Sequence, residues 1–166
     1  KLNTILHEFL EKHKFRTDQY PTSTDLITHL KNSIPLEFHY IIRDMMETIT
    51  FYDNKIIDIK ELPNKQLEIA FSMRKIDSTL INEEVEATNV FITIGQYDIE
   101  GNLLQSEEVK ASLGENTVTI YKNPGATNIL LDPFLHFIEL NVEDNRQNIV
   151  TKEKGLQRTL YTRIED

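Results

Sequence analysis

The chain has 166 residues, 39% of them hydrophobic, with no cysteine and no low-complexity stretch; this length suits one domain or a domain plus a fragment, and excludes a disordered chain, disulfides and thiolate metal sites. The formal net charge of −9 is uneven: residues 51–150 carry 8 Lys and Arg against 17 Asp and Glu, while residues 1–50 carry 6 against 7, so a phosphate backbone would be repelled and no nucleic-acid partner is expected. No apolar run approaches the ~20 residues of a membrane span, which leaves no expectation of direct membrane insertion.

The chain opens at Lys1 inside a periodic segment and without Met, and is read as an excised piece of a longer protein. Leu2, Ile5, Leu6, Phe9 and Leu10 recur at helical spacing and predict a helix ending near Lys14. Tyr20-Pro21 breaks the chain. Thr22 and Asp25 form a capping-box-like start for a second helix, with Leu26, Ile27 and Leu30 inward and Asn32-Ser33 at its end. Pro35 fits the first turn of a third helix, whose stripe would be Ile41, Ile42, Met45, Met46 and Ile49. The two methionines are expected as core filler. Five residues on the first helix form more apolar face than short neighbours can cover. That face is expected to stay exposed in isolation, or to make a dimer contact.

After Phe51 the period changes. Leu67, Ile69, Phe71 and Met73 alternate with Glu68, Ala70, Ser72 and Arg74, the pattern of a half-buried strand. Pro63-Asn64-Lys65 turns back to a strand over Ile56–Glu61. Further strands are predicted over Val90–Tyr97, Leu103–Ala111, Val118–Tyr121 and, as the last, Asn128–Leu131. Asp77–Thr88, with Glu83, Glu84 and Glu86, reads as an exposed loop or strand connection. The expected fold class is α+β: about three helices over residues 1–50, an antiparallel β-sandwich over residues 51–145, and a polar tail over residues 146–166, loosely ordered from Glu143 onward. The sandwich core is expected to include Leu67, Ile69, Phe71, Ile92, Ile94, Val118, Ile120, Ile129 and Leu131.

Chemistry-bearing motifs are few. His7-Glu8-Phe9-Leu10-Glu11-Lys12-His13 resembles H-E-x-x-H superficially. The second His falls at i+6 instead of i+4, about 120° away around the helix, so the two imidazoles do not converge. His7 and Glu11 alone do not close a metal site. His29 and His39 are isolated, and His136, beside Phe134 and Phe137, is expected as a packed or capping histidine. No G-x-S-x-G elbow, glycine-rich phosphate loop or calcium loop is present. No catalytic, cofactor-binding or metal residue is assigned, and the fragment is expected to hold no zinc and to have no peptidase activity.

The motif order carries a resemblance. It runs from Phe9-Leu10-Glu11-Lys12-His13-Lys14-Phe15 through the Tyr20-Pro21 break to Asp44-Met45-Met46-Glu47-Thr48-Ile49-Thr50-Phe51-Tyr52-Asp53-Asn54. It closes with Ile129-Leu130-Leu131-Asp132-Pro133 and Asp144-Asn145. Over roughly Leu2–Asn145 the chain resembles the C-terminal part of gluzincin aminopeptidases of the aminopeptidase N type. It is most similar to bacterial membrane proteins in which an ABC-type permease is fused to such a peptidase domain. The resemblance implies a noncatalytic module that packs on the catalytic domain of its own parent chain and helps bound its cleft. It also implies a membrane-anchored parent whose zinc is held upstream of Lys1, by H-E-x-x-H and a further Glu. The other readings are an independent sandwich binding a protein, peptide or glycan, and an enzyme in its own right.

Overall fold

A computed structural model describes residues 1–78 and 89–149. Helix α1 spans Leu2–His13 and α2 spans Ser23–Ser33. The Thr22/Asp25 capping box is complete: Thr22 N–H donates to Asp25 Oδ2 at 2.8 Å, and Asp25 N–H donates to Thr22 Oγ1 at 3.3 Å. Ile5, Leu30 and Ile42 make a small core of their own, flanked by Leu6, Leu26, Ile27 and Ile34. His29 Nε2 lies 3.0 Å from the Ile5 carbonyl and ties α2 to α1.

The third helix is not the regular amphipathic helix the spacing predicts. A 3₁₀ turn over Leu36–Phe38 leads into one α-turn, α3 (His39–Ile42), and then a π-turn over Arg43–Glu47. Thr48 closes the π-turn twice, its N–H and its Oγ1 both donating to the Arg43 carbonyl, at 3.0 and 3.1 Å. Each change of pitch rotates the stripe away from its predicted face. Ile42 alone of that stripe is buried; Ile41, Met45, Met46 and Ile49 are exposed. The expectation of methionine core filler is therefore corrected.

The β-region is a sandwich of two antiparallel sheets. One sheet has the order β1 (Thr50–Leu62), β2 (Gln66–Asp77), β5 (Gly114–Tyr121). The other has the order β4 (Leu103–Ala111), β3 (Val90–Tyr97), β6 (Asn128–Leu131), β7 (Arg146–Asn148). Asn64 and Lys65, at φ 65° and 59°, make the β1–β2 turn. Gly101, at φ 86°, makes the β3–β4 turn. All the predicted core residues are buried except Val118, which is half-buried at the margin. Gln96 spans the sheets, its Nε2 donating to the Tyr121 carbonyl and its Oε1 accepting from Asn123 N–H.

Two expectations about boundaries change. Asn128–Leu131 is not the last strand, because β7 pairs with it antiparallel and Asn145 is buried. Residues 144 and 145 are tied to both sheets through their backbone, the Asp144 carbonyl accepting from Ile56 N–H and the Asn145 carbonyl from Leu131 N–H. Strand β2 runs through Asp77, the first residue of the expected loop or strand connection; Glu83, Glu84 and Glu86 lie outside the described residues, as does the tail from 150 onward.

Residues 132–145 form a strap between the sheets. Asp132, at φ 47°, turns the chain after β6, and its carboxylate accepts from His136 and Phe137 N–H at 3.0 and 2.9 Å. The strap then lies along β1: Tyr52 N–H donates to the Ile138 carbonyl, Leu140 N–H to the Tyr52 carbonyl, and Ile56 N–H to the Asp144 carbonyl. Leu131 N–H donates to the Asn145 carbonyl, which returns the strap to the second sheet. The free edge of β1 is thereby covered from Tyr52 to Ile56.

Candidate functional site

The inner face of β2 changes chemistry along its length. Leu67, Ile69, Phe71 and Met73 point into the core, and the same phase continues into Lys75 and Asp77, both buried. A buried charge needs a partner, and the π-turn supplies two. Lys75 Nζ lies 2.6 Å from Asp44 Oδ1, with both side chains buried, and Arg43 lies 3.3 Å from Asp77 Oδ2. Tyr52, from β1, donates its hydroxyl to Asp44 Oδ2 at 2.7 Å, and Lys75 Nζ sits 5.8 Å from the Tyr52 ring centroid. Burial pushes the Tyr52 phenol far above its ordinary pKa, and the Asp44 hydrogen bond and charge add to that. The phenol is therefore a fixed donor at any physiological pH.

Above this buried cluster lies a cleft of about 500 Å³ between the helical segment, the start of β1, the outer face of the β3–β4 hairpin, and the strap. Its walls are mostly rings. Phe38 stacks on Phe91 at 5.5 Å, and Tyr52 packs on Phe137 at 4.4 Å. Tyr40 accepts a hydrogen bond from Phe91 N–H at 3.3 Å. Burial raises the Tyr40 pKa; the Phe91 bond opposes this, and the Asp44 and Glu108 charges reinforce it. Ile41, Met45, Leu135 and Ile138 line the mouth, with Glu108 and His136 among the polar groups there. Cavity size and ring-rich walls fall in the range of ligand and side-chain sockets.

Of the histidines singled out by sequence, only His13 and His29 come together among the described residues, lining a small pocket with Asp25. His7 is exposed on α1. His13 packs on Phe9 at 4.5 Å, and Phe9 on His29 at 5.5 Å. Glu11 pairs with Lys14 instead of His7. His39 Nε2 lies 3.4 Å from the Ile34 carbonyl. His136, expected as a packed or capping histidine, has a side chain 63% exposed at the cleft mouth, with its ring 5.7 Å from that of Phe134 and its Nδ1 3.7 Å from Asp132 Oδ1. Among the described residues, no three His, Cys, Asp or Glu side chains are grouped to hold a metal ion, and no helix is long and apolar enough to cross a membrane.

A second polar cluster fixes the strap. Glu139 accepts from Asn54 N–H at 3.1 Å and from the Asn54 side-chain amide. Burial raises the Glu139 carboxyl to about 7, against the hydrogen bonds from Asn54 and Asn145, which favour the charged form. Sequence reasoning missed Asp44, Lys75, Asp77, Asn54 and Glu139. For Lys75 and Asp77 a signal existed, since both continue the apolar phase of β2.

Compared with models of protein families and with curated proteins, the chain matches none.

Proposed function

We propose that this chain is a noncatalytic C-terminal module that packs on another domain of its parent, in the manner of the module closing a zinc aminopeptidase-like membrane protein. The observation that carries this reading is the apolar surface of the helical segment. Leu2, Leu10, Leu36, Met45 and Ile49 are exposed, Phe15 almost fully so at 93%, while Ile5 and Phe9 on the same helix are buried. Exposed apolar side chains in such number mark a surface meant for a partner. The aminopeptidase part of the proposal rests on the resemblance in motif order. The alternative, a free-standing sandwich that binds a protein, peptide or glycan, draws its support from the cleft.

The test begins with the gene upstream of Lys1. The preceding domain of roughly 150 residues is produced separately and mixed with this chain, and complex formation is followed by calorimetry and by hydrogen exchange across α1 and the π-turn. Complex formation with protection of both elements supports the reading. A start codon immediately before Lys1, or a preceding domain that leaves both elements unprotected, overturns it.

A further inference from the structure

The cleft is apolar in its walls and acidic at its mouth. Phe38, Phe91, Tyr52 and Phe137 line it as two ring pairs. Of its two acids, Asp44 is neutralised by buried Lys75. Glu108 is exposed on β4 and has no cationic partner among the described residues. Its charge is felt inside the cleft, at the Tyr40 phenol. Lys110 lies over the Phe91 ring, 6.0 Å from its centroid, but is not part of the lining. The described residues of the β-region, which supply part of the lining, carry 14 Asp and Glu against 8 Lys and Arg over 51–78 and 89–149. A negatively charged occupant would meet repulsion on approach, and a positive one attraction.

We propose that this cleft is a socket for an aromatic side chain carried beside a lysine or arginine on a polypeptide partner. The ring seats between the Phe38–Phe91 and Tyr52–Phe137 pairs, which offer both faces and edges to it. The neighbouring cation meets Glu108, with Tyr40 and its hydroxyl between them. The Tyr40 proton has no acceptor among the described hydrogen bonds and is free for a backbone carbonyl of the incoming segment. This inference rests on the packing-module reading, in which the segment belongs to the neighbouring domain, and it names what that segment must carry.

The experiment uses the full chain, isotope-labelled, with three capped tetrapeptides: acetyl-Gly-Phe-Lys-Gly-amide, the same peptide with Glu for Lys, and the same with Ala for Phe. Amide shifts of Tyr40, Phe91 and Phe137 report occupancy. The Phe-Lys peptide is expected to move these three amides. The Ala peptide should bind more than about tenfold more weakly, and the Glu peptide roughly fivefold more weakly. Glu108→Gln should abolish the preference for Lys over Glu and keep the preference for Phe over Ala. The socket is refuted by equal affinity for all three peptides, by shifts confined to other surfaces, by no shifts at millimolar peptide, or by concentration-dependent shifts without peptide, which would mean that a second copy fills the cleft. The two readings fail separately. An upstream domain that binds a chain lacking the Lys preference removes the socket alone; peptides that bind with the expected ranking while the upstream domain does not remove the packing reading alone.

Discussion

Lys75 of β2 and Asp44 of the π-turn form a buried ion pair, 2.6 Å apart, where the inner face of β2 turns from apolar to charged. The pair joins the helical segment to the sheets. Asp44 Oδ1 has no well-directed hydrogen bond of its own, and the Lys75 charge is what balances it. Such pairs contribute little net stability compared with apolar packing, yet breaking one half is costly.

Lys75→Met should therefore destabilise the chain by about 3–5 kcal/mol, leaving Asp44 buried without its cation. The double variant Lys75→Met/Asp44→Leu should recover most of that loss. Urea denaturation of the wild type, both single variants and the double variant gives the coupling. Additive losses would show that the pair does not hold the joint.

Phe71 is fully buried at the centre of β2. Phe71→Asp should remove about 5 kcal/mol or more, most of the stability of a small domain. A thermal melt within a degree or two of wild type would contradict the register in which Phe71 opposes Ile56 and Asn116.

Gly95 faces the strap. A Cβ there would lie 2.9 Å from the Tyr97 ring and 3.1 Å from Pro133 Cγ. Gly95→Ala should cost about 1–3 kcal/mol through this overpacking, and hydrogen exchange should quicken at Tyr52 and Leu140, where the strap meets β1. Unchanged exchange would mean the strap absorbs the methyl group without moving.

The Glu139 carboxyl, at about 7, stands above its ordinary value of 4.5. The folded state thus holds a proton that the unfolded state has already released. Its contribution to stability is complete below the unfolded value and is lost as pH rises from about 4.5 to about 7. Glu139 is only half-buried, so solvent screening limits the effect to on the order of 1 kcal/mol. Glu139→Gln should remove this slope, and the difference between variant and wild-type melting curves from pH 4 to pH 8 isolates it from the other carboxylates. A constant difference across that range would count against the assignment.

Leu10 and Met45 are exposed. Leu10→Ser and Met45→Ser should change stability by no more than about 0.5 kcal/mol and still weaken binding of the upstream domain. A large loss of stability in either variant would show that these side chains already have a partner within the chain.

The strands were legible because alternation and turn residues agree. Leu67–Met73 and Pro63-Asn64-Lys65 each signal the element that forms. The Thr22/Asp25 cap was readable for the same reason, since donor and acceptor are three residues apart. The third helix was not, because Ile41, Ile42, Met45 and Met46 fit a regular period and nothing local announces the π-turn. That turn is reinforced by a contact to the sheet, Asp44 to Lys75, 31 positions away in sequence. The cleft was illegible for a related reason. Phe38, Phe91, Tyr52 and Phe137 are scattered along the chain, and the strap alone brings the last of them to the others.

The strap also sets an order of events for a chain emerging from the ribosome. Strands β1 and β2 can pair as soon as Asp77 is free, because their turn is local. The open side of β1 must then wait until residues 138–144 are made, and β6 waits longer still for Arg146–Asn148. During that interval a 13-residue strand carries an unpaired backbone edge, a template for wrong pairing with a neighbouring nascent chain. Lys55, Asp58, Lys60 and Glu61, spaced along this strand and exposed, are charges suited to keeping that edge solvated, and the last three lie beyond Ile56, where the strap's hydrogen bonds to β1 end.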